Sequence, residues 1–396
     1  VIDTATRKSL ELSRTLTGER KGSLLSAIDK TSTAGGARLL HTRLSAPLTG
    51  RAEIEARLGL ATWFTQNPII SAETSDILST LPDIERALSR LVTSRGGPRD
   101  LAALAQGLFK ARSLSLLLNR SGTAESQLEI LALAEIAQNP APLAEKITPA
   151  LADELPLLAR DGHFIRQGYD SQLDELRQMR DESRRLMAGL QANYAEITGV
   201  SALKIKHNNV LGYHIEVRAA HADKLMSEPQ FIHRQTTAQA VRFTTTELAE
   251  MEQALGSASD KALALEVHLF EQLVREVISA KDIIAACADA VAALDVACST
   301  AKLADLYDYC CPQLRDDTSF TIEAGRHPVV EQAVGHDAQF IANDCLLSEE
   351  ANLWLLTGPN MAGKSTYLGQ NANVAILDQA GFFVAARSAE TASVDK

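Results

Sequence analysis

The chain runs to 396 residues, 45% hydrophobic and 22% charged, with a net charge of −11. That length carries two or three domains with cores of their own, and the acidic balance excludes a general polyanion binder, so any nucleic-acid surface has to be local. Aromatic residues make up only 5% while Leu and Ala abound, which favours helices over β-sandwiches.

From Val1 to about Ala152 apolar residues recur at three- and four-residue steps in Ala52–Thr65, Ile84–Leu91 and Leu101–Leu118, the spacing of amphipathic helices. Breakers fall between them at Gly35-Gly36, Pro47, Asn67-Pro68, Pro82, Gly96-Gly97-Pro98 and Asn139-Pro140. No repeat of fixed period is present, so a solenoid is not favoured. Nothing here suggests catalysis, and His41 reads as an ordinary surface or core residue.

Gly168-Tyr169-Asp170 leads into a helix over Ser171–Ile197 with Leu176, Met179, Leu186, Leu190 and Ile197 as its apolar stripe, a rod of roughly 40 Å. A second helix is predicted over Thr246–Tyr307. Its apolar positions Leu263, Val267, Phe270, Val274, Val277, Ile284, Cys287, Val291, Leu294 and Cys298 step 4-3-4-3 past Lys281, as in a coiled-coil seam. Two such helices flanking a short insert predict an arm that goes out, turns and returns; two core helices of one bundle are the alternative.

The insert, Ser201 to about Thr245, changes character. Leu203–Lys206 and Tyr213–Arg218 alternate apolar and polar residues like half-buried strands, with Asn208-Asn209 and Leu211-Gly212 as turn residues. Lys204, Lys206, Arg218, Lys224, Arg234 and Arg242 stand against Glu216, Asp223 and Glu228, and His207, His214, His221 and His233 join them. A locally basic tip on an acidic chain is a candidate for phosphate contact, with Thr236, Thr237, Asn208 and Asn209 suited to backbone-positioning hydrogen bonds. On composition alone a merely solvated sheet face explains it equally. No aromatic platform is evident, which favours duplex over single-strand contact.

After Tyr309 comes Gly325-Arg326-His327-Pro328-Val329-Val330-Glu331, a turn; His327 has no neighbouring ligands and so no predicted metal role. Phe340 in Phe340-Ile341-Ala342-Asn343-Asp344 reads from its own residues as a strand residue packed in a core. Leu353–Thr357 then reads as a buried strand, followed by a loop and a helix over about Thr366–Gln379. Gly358 to Ser365 is G-x-x-x-x-G-K-S, the phosphate-binding loop. Its glycines let the backbone approach phosphate, and its N–H groups form an anion nest at the helix start. Lys364 reaches the β- and γ-phosphates, and the Ser365 hydroxyl holds Mg²⁺.

The five cysteines, Cys287, Cys298, Cys310, Cys311 and Cys345, are odd in number and form no C-x-x-C. They predict neither a disulfide framework nor a zinc site, and a reducing, cytoplasmic compartment. No apolar run approaches about 18 residues, so no membrane association is predicted. Val1 opens without a signal-peptide pattern, and both ends read as cut.

The stretch Thr357-Gly358-Pro359-Asn360-Met361-Ala362-Gly363-Lys364-Ser365-Thr366-Tyr367-Leu368 resembles the phosphate loop of the MutS family of DNA mismatch-repair ATPases, except for Ala362 in place of a common Gly and Gly369 in place of a common Arg. Leu10–Leu12, Gly22–Asp29, Asp83–Leu91 and Pro98–Leu101 are similar to that family's core domain; Asn208-x-x-x-Gly212-Tyr213-x-Ile215, Arg234–Thr236 and Lys261–Glu266 to its clamp and lever; and Gly325–Glu331 to its G-R-H-P-V-V-E. The resemblance implies a multidomain, mostly α fold with a small β-rich insert and the N-terminal part of a P-loop α/β ATPase domain. Its parts would be a helical core (1–170), an outgoing lever helix (171–200), a clamp gripping the DNA backbone (201–245), a returning lever (246–308) and the ATPase portion (309–396).

It further implies ATP or ADP with Mg²⁺ held by Gly358, Pro359, Asn360, Met361, Ala362, Gly363, Lys364, Ser365 and Thr366, and adenine packed on Phe340. Duplex DNA would meet Lys204, Lys206, His207, Asn208, Asn209, His214, Arg218, Arg234 and Thr236. The parent would be a homodimer that encircles mismatched DNA, becomes a sliding clamp on binding ATP and recruits a factor of the MutL type. The family's hydrolytic Asp-Glu pair is expected beyond Lys396; Asp378 falls inside the predicted helix and does not replace it. Alternatives are a small-molecule kinase, a paralogous recombination regulator, or a structural coiled-coil ATPase.

Overall fold

Most of the helix boundaries written in the sequence recur in a computed structural model of the chain, which describes residues 2–121, 128–208, 210–334, 340–359 and 363–392. Helices α1 (Thr4–Ser9), α2 (Leu24–Ile28), α3 (Ala34–Ser45), α4 (Arg51–Gln66), α5 (Pro68–Ser79), α6 (Ile84–Val92), α7 (Pro98–Leu118), α8 (Leu128–Gln138) and α9 (Ala141–Ala150) come first. Their ends have physical causes. The Thr33 hydroxyl accepts from Gly36 N–H at 2.9 Å to start α3, the Asp83 carboxylate caps α6 through Arg86 N–H at 3.1 Å, and Pro68 opens α5 where its missing N–H costs nothing.

Then follow α10 (Ser171–Thr198), β1 (Lys204–Asn208), β2 (Gly212–Arg218), α11 (Ala222–Met226), β3 (Ile232–Thr236), β4 (Ala240–Thr244) and α12 (Thr246–Ser279). The rest comprises α13 (Lys281–Tyr307), β5 (Gln313–Arg315), β6 (Phe320–Gly325), α14 (Pro328–Val334), β7 (Asn343–Leu347), α15 (Lys364–Ala380) and β8 (Ser388–Ala392). The fold is mostly helical with small sheets.

The described chain divides into two compact units, one of residues 1–96, 100–148 and 276–396, the other of 97–99 and 149–275. In the first, α13 is the central helix, packed against α3, α4, α5, α6 and α8. Asp295 on α13 is buried and accepts from Ser32 N–H (2.9 Å), Thr33 N–H (2.8 Å) and the Thr33 hydroxyl (2.6 Å), tying the start of α3 to α13. Two helices, Pro98–Leu118 and Lys281–Tyr307, are long and apolar enough to cross a membrane by composition, contrary to the reading that no run approaches that length. Their apolar faces are spent on this core: Leu101, Leu104 and Leu108 of α7, and Ile284, Val291 and Leu294 of α13, are buried. The same unit carries a sheet of order β5-β8-β6-β7, with β5 parallel to β8 and the other pairs antiparallel.

The helix predicted over Thr246–Tyr307 is broken at Ala280, whose N–H is shared between Glu276 and Val277 carbonyls at 3.1 Å each. Asp282 then supplies a negative charge to the new N-terminus of α13. The seam beyond the break is the buried face of a bundle helix, not one strand of a two-helix coil.

In the second unit α10 and α12 run antiparallel. Arg177 meets Glu266 at 2.8 Å near one end, and the Tyr194 hydroxyl meets Thr245 Oγ1 at 2.6 Å near the other. The seventeen-residue step along α10 spans about 26 Å. Buried Glu266 also accepts from the N–H groups of His163, Phe164 and Ile165 at 2.8–2.9 Å. The predicted stripe of α10 is displaced: Met179, Leu186 and Ile197 are exposed, while Leu173, Met187, Leu190 and Tyr194 face inward. The predicted and observed stripes both step by three, four or a whole number of sevens, so periodicity alone does not choose between them; the neighbouring sheet does.

Candidate nucleotide and nucleic-acid sites

In the first unit the candidate phosphate loop sits before α15. Gly363 is its N-cap residue, in the left-handed region at φ 82°, and no side chain caps the helix. The first helical bond runs from Tyr367 N–H to the Gly363 carbonyl at 2.9 Å. The N–H groups of Lys364, Ser365 and Thr366 therefore have no intrahelical acceptor and sit at the positive end of a 17-residue helix. Lys364 Nζ donates back to the Gly358 carbonyl at 2.5 Å, bridging the loop, and Ser365 is exposed. An αL glycine, free N–H groups, an ammonium and an exposed hydroxyl fit a polyphosphate with its cation. Pro359 and Thr366 flank this group, while Asn360, Met361 and Ala362 lie outside the described residues.

The run before the loop departs from expectation. Residues 352–357 form no strand, and Leu353 and Leu355 are 84% and 88% exposed. A strand exists only when hydrogen-bonded to a neighbour, and among the described residues this run pairs with none of β5, β8, β6 or β7.

Phe340 is half-buried, in coil just ahead of β7, not in a strand. Its segment is pinned to the phosphate-loop helix. The Tyr367 hydroxyl donates to the Asp344 carbonyl at 2.9 Å and Gln370 Nε2 to the Asn343 carbonyl at 3.3 Å. The Asp344 carboxylate accepts from Ala324 N–H at 2.7 Å, holding Ala324 at φ 48°. The base-stacking candidate and the phosphate loop thus share the first turns of α15. Tyr367 and Asp344 were not singled out in the sequence; only the Tyr inside the loop motif hinted at the first.

Asp378 lies within α15 as predicted. It is 1% exposed, accepts from the Thr391 hydroxyl of β8, and its other oxygen has no partner. Burial pushes its carboxyl up to about 6. His327 is pushed below its ordinary value by burial. No cluster of three metal-ligating side chains forms among the described residues.

In the second unit the basic insert is a four-stranded antiparallel sheet, β1-β2-β4-β3. Two of these strands were predicted. One face, with Ile215, Val217, Val241 and Phe243, is buried with Tyr194, Leu190 and Leu248 of α10 and α12. Cross-strand pairs Lys204↔Glu216, Lys206↔His214 and Glu216↔Arg242 put these polar residues together on the other face. Glu216 is its centre: Lys206 Nζ lies at 2.7 Å and Arg242 Nε at 3.2 Å, which holds the carboxyl below its usual range, the Lys206 bond most of all. Arg242 also donates to Gln235 at 2.8 Å.

This network sorts the DNA-contact candidates. Lys204, His207, Arg218, Arg234 and Thr236 are exposed, and Thr236 shares a 2.8 Å bond with His233. Lys206 is half-exposed but already paired. The Asn208 side-chain oxygen is spent on the β1–β2 turn, accepting from Val210 and Leu211 N–H at 2.9 and 2.8 Å. His214 is corrected: at 2% exposure it reaches no external phosphate, because its ring is covered on the polar face, with Nε2 4.0 Å from Glu216 and Nδ1 bonded to the Gly212 carbonyl at 3.0 Å. Asn209 lies outside the described residues.

The model for MutS domain III matches residues 5–301, and the model for MutS domain V, the family's ATPase domain, matches residues 354–396. With well over half of its length matched in this way, the chain belongs to the MutS family of DNA mismatch-repair, DNA-binding ATPases.

Proposed function

We propose that this chain carries the nucleotide-binding and backbone-gripping parts of a mismatch sensor. ATP or ADP with Mg²⁺ binds at Gly358–Thr366, with adenine on Phe340, and the nucleotide state biases a clamp that holds mismatched duplex DNA. The single observation that carries this reading is the uncapped start of α15, with αL Gly363 before it and Lys364 beside its open N–H groups. The exposed cations Lys204, Arg218 and Arg234 support backbone contact.

The domain order is the one read from the sequence: core 1–170, levers 171–200 and 246–308, clamp 201–245, ATPase portion from 309. The antiparallel run of α10 and α12, ending at the basic sheet, supports the lever and clamp parts. The parent acts in the cytoplasm as a homodimer that slides after binding ATP and hands over to a MutL-type factor. The chain alone binds nucleotide with little or no turnover, the hydrolytic Asp-Glu pair being unassigned within it; Asp378, buried against Thr391, does not take that place.

Titration with a fluorescent ATP analogue tests the reading. Saturable, Mg²⁺-dependent binding that weakens at least about 10²-fold in Lys364→Ala is expected, that being the loss of a charge-assisted contact of about 3 kcal/mol. Binding unchanged in Lys364→Ala refutes it, and rapid hydrolysis abolished by that variant refutes the inactive-fragment part.

A further inference from the structure

The segment from Gly325 to Glu331 is fixed to α13 on one side and seated on α15 on the other. Arg326 Nη2 donates to the carbonyls of Tyr307 (2.7 Å) and Asp308 (2.8 Å), where α13 ends and Asp308 turns into the left-handed region at φ 51°. A guanidinium there meets the negative end of a 27-residue helix and satisfies carbonyls the helix leaves open. Its Nε faces Glu331 across 3.3 Å, and its backbone N–H donates to the Ala385 carbonyl at 2.7 Å.

One residue on, the Nε2 edge of His327 packs against α15 at Gly369. A Cβ at position 369 would stand 3.1 Å from His327 Nε2, so a side chain there would need the ring to give by a few tenths of an ångström. Val330 N–H points at Nδ1 from 3.4 Å, which makes Nδ1 the acceptor and puts the ring proton on Nε2. Nε2 faces the Asn373 amide at 3.4 Å, while the buried Asn373 oxygen has no other partner. With that oxygen turned to the ring, Nε2–H and Asn373 satisfy each other. Burial keeps the imidazole neutral, as this pair of bonds requires.

We propose that Arg326 and His327 are positioning residues that couple the phosphate-loop helix to the C-terminal end of α13. A shift of α15 when phosphate binds at its N-terminus carries His327 through Asn373. Arg326 passes the displacement to the last turn of α13. This rests on the nucleotide reading above and specifies how that site is communicated.

The test uses the whole chain and a fluorescent ADP with Mg²⁺. Two quantities are read: nucleotide affinity, and amide hydrogen exchange over residues 300–309 with and without nucleotide. In the unmodified chain nucleotide changes exchange there by about fivefold or more, the lower range of allosteric coupling. His327→Ala and Asn373→Ala keep affinity within about threefold, under 1 kcal/mol, yet lose that response. His327→Gln, whose amide N–H can reach Asn373, restores it, which a loss of folding would not allow. Arg326→Lys keeps the charge without the two-carbonyl fork and transmits less. A response intact in both alanine variants overturns the proposal, as does binding by the unmodified chain with no response at 300–309. Absence of any binding overturns the nucleotide reading, and this coupling with it.

Discussion

Asp378→Asn tests whether the interior around the phosphate-loop helix is as dry as its geometry implies. The carboxylate is 1% exposed, has one donor, the Thr391 hydroxyl, and leaves one oxygen without a partner. Burial lifts its pKa to about 6 from an unperturbed 3.8. The native state therefore holds a proton that the unfolded chain has released, and stability falls as pH rises between these values. Integrating that linkage, ionisation costs about 0.5 kcal/mol at pH 4, about 1.6 at pH 5 and about 3 at pH 7, flat above. Asn keeps an acceptor for Thr391 and removes the charge, but places an amide N–H where no acceptor lies, at about 1–2 kcal/mol. The variant is then more stable than the parent by about 1–2 kcal/mol at pH 7, and the advantage vanishes near pH 5. Urea unfolding followed by circular dichroism at pH 5, 6, 7 and 8 reads this directly. A difference between the two chains that stays constant across that range refutes the reasoning, whatever its sign.

Arg218→Glu should weaken duplex binding more than Lys206→Glu, because Arg218 has no ion pair among the described residues while Lys206 is held by Glu216; each should also flatten the salt dependence of log K by about one to two, measured by fluorescence anisotropy against KCl. Asp295→Ala should destabilise by about 3 kcal/mol, since a buried and a half-buried N–H group and the Thr33 hydroxyl lose one acceptor; denaturant melts check it, and a loss under about 1 kcal/mol would show that water replaces the carboxylate. Glu266→Gln should cost less than Glu266→Ala, because an amide oxygen still accepts from the loop at His163–Ile165 but no longer pairs with Arg177; equal losses in the two variants contradict that.

Where local chemistry decides, the sequence was legible. Apolar residues at three- and four-residue steps, with breakers between them, were enough for α4, α6, α7 and α10 to within a few residues. Where distant neighbours decide, it was not. β3, with its five exposed residues, carries no inward alternation and is a strand only because β4 pairs with it. The stripe of α10 went astray for the same reason, both faces being apolar enough. His214 was counted among the basic residues of the insert, yet it is buried beside Glu216, with its ring bonded to the Gly212 carbonyl. A list of cations cannot reveal that Glu216 has already neutralised some of them.

The phosphate loop divides along the same line. Its helix start needs nothing remote: Gly363 supplies the αL turn, and the open N–H groups of Lys364 to Thr366 follow from helix geometry alone. Those features were legible and are present. The strand before it needs a partner edge, and Leu353–Leu356 instead stand exposed. Anion affinity resides in the first part and mechanical transmission in what the helix rests on. Nucleotide binding should therefore survive changes at 353–356 that keep the chain soluble, such as Leu353→Thr with Leu355→Thr, while Gly363→Ala, which strains the αL position by about 1–2 kcal/mol, should lower affinity about tenfold. If the two threonines cost as much nucleotide affinity as Gly363→Ala does, the loop is not self-sufficient, and the division between local and distant causes fails at the site where it matters most.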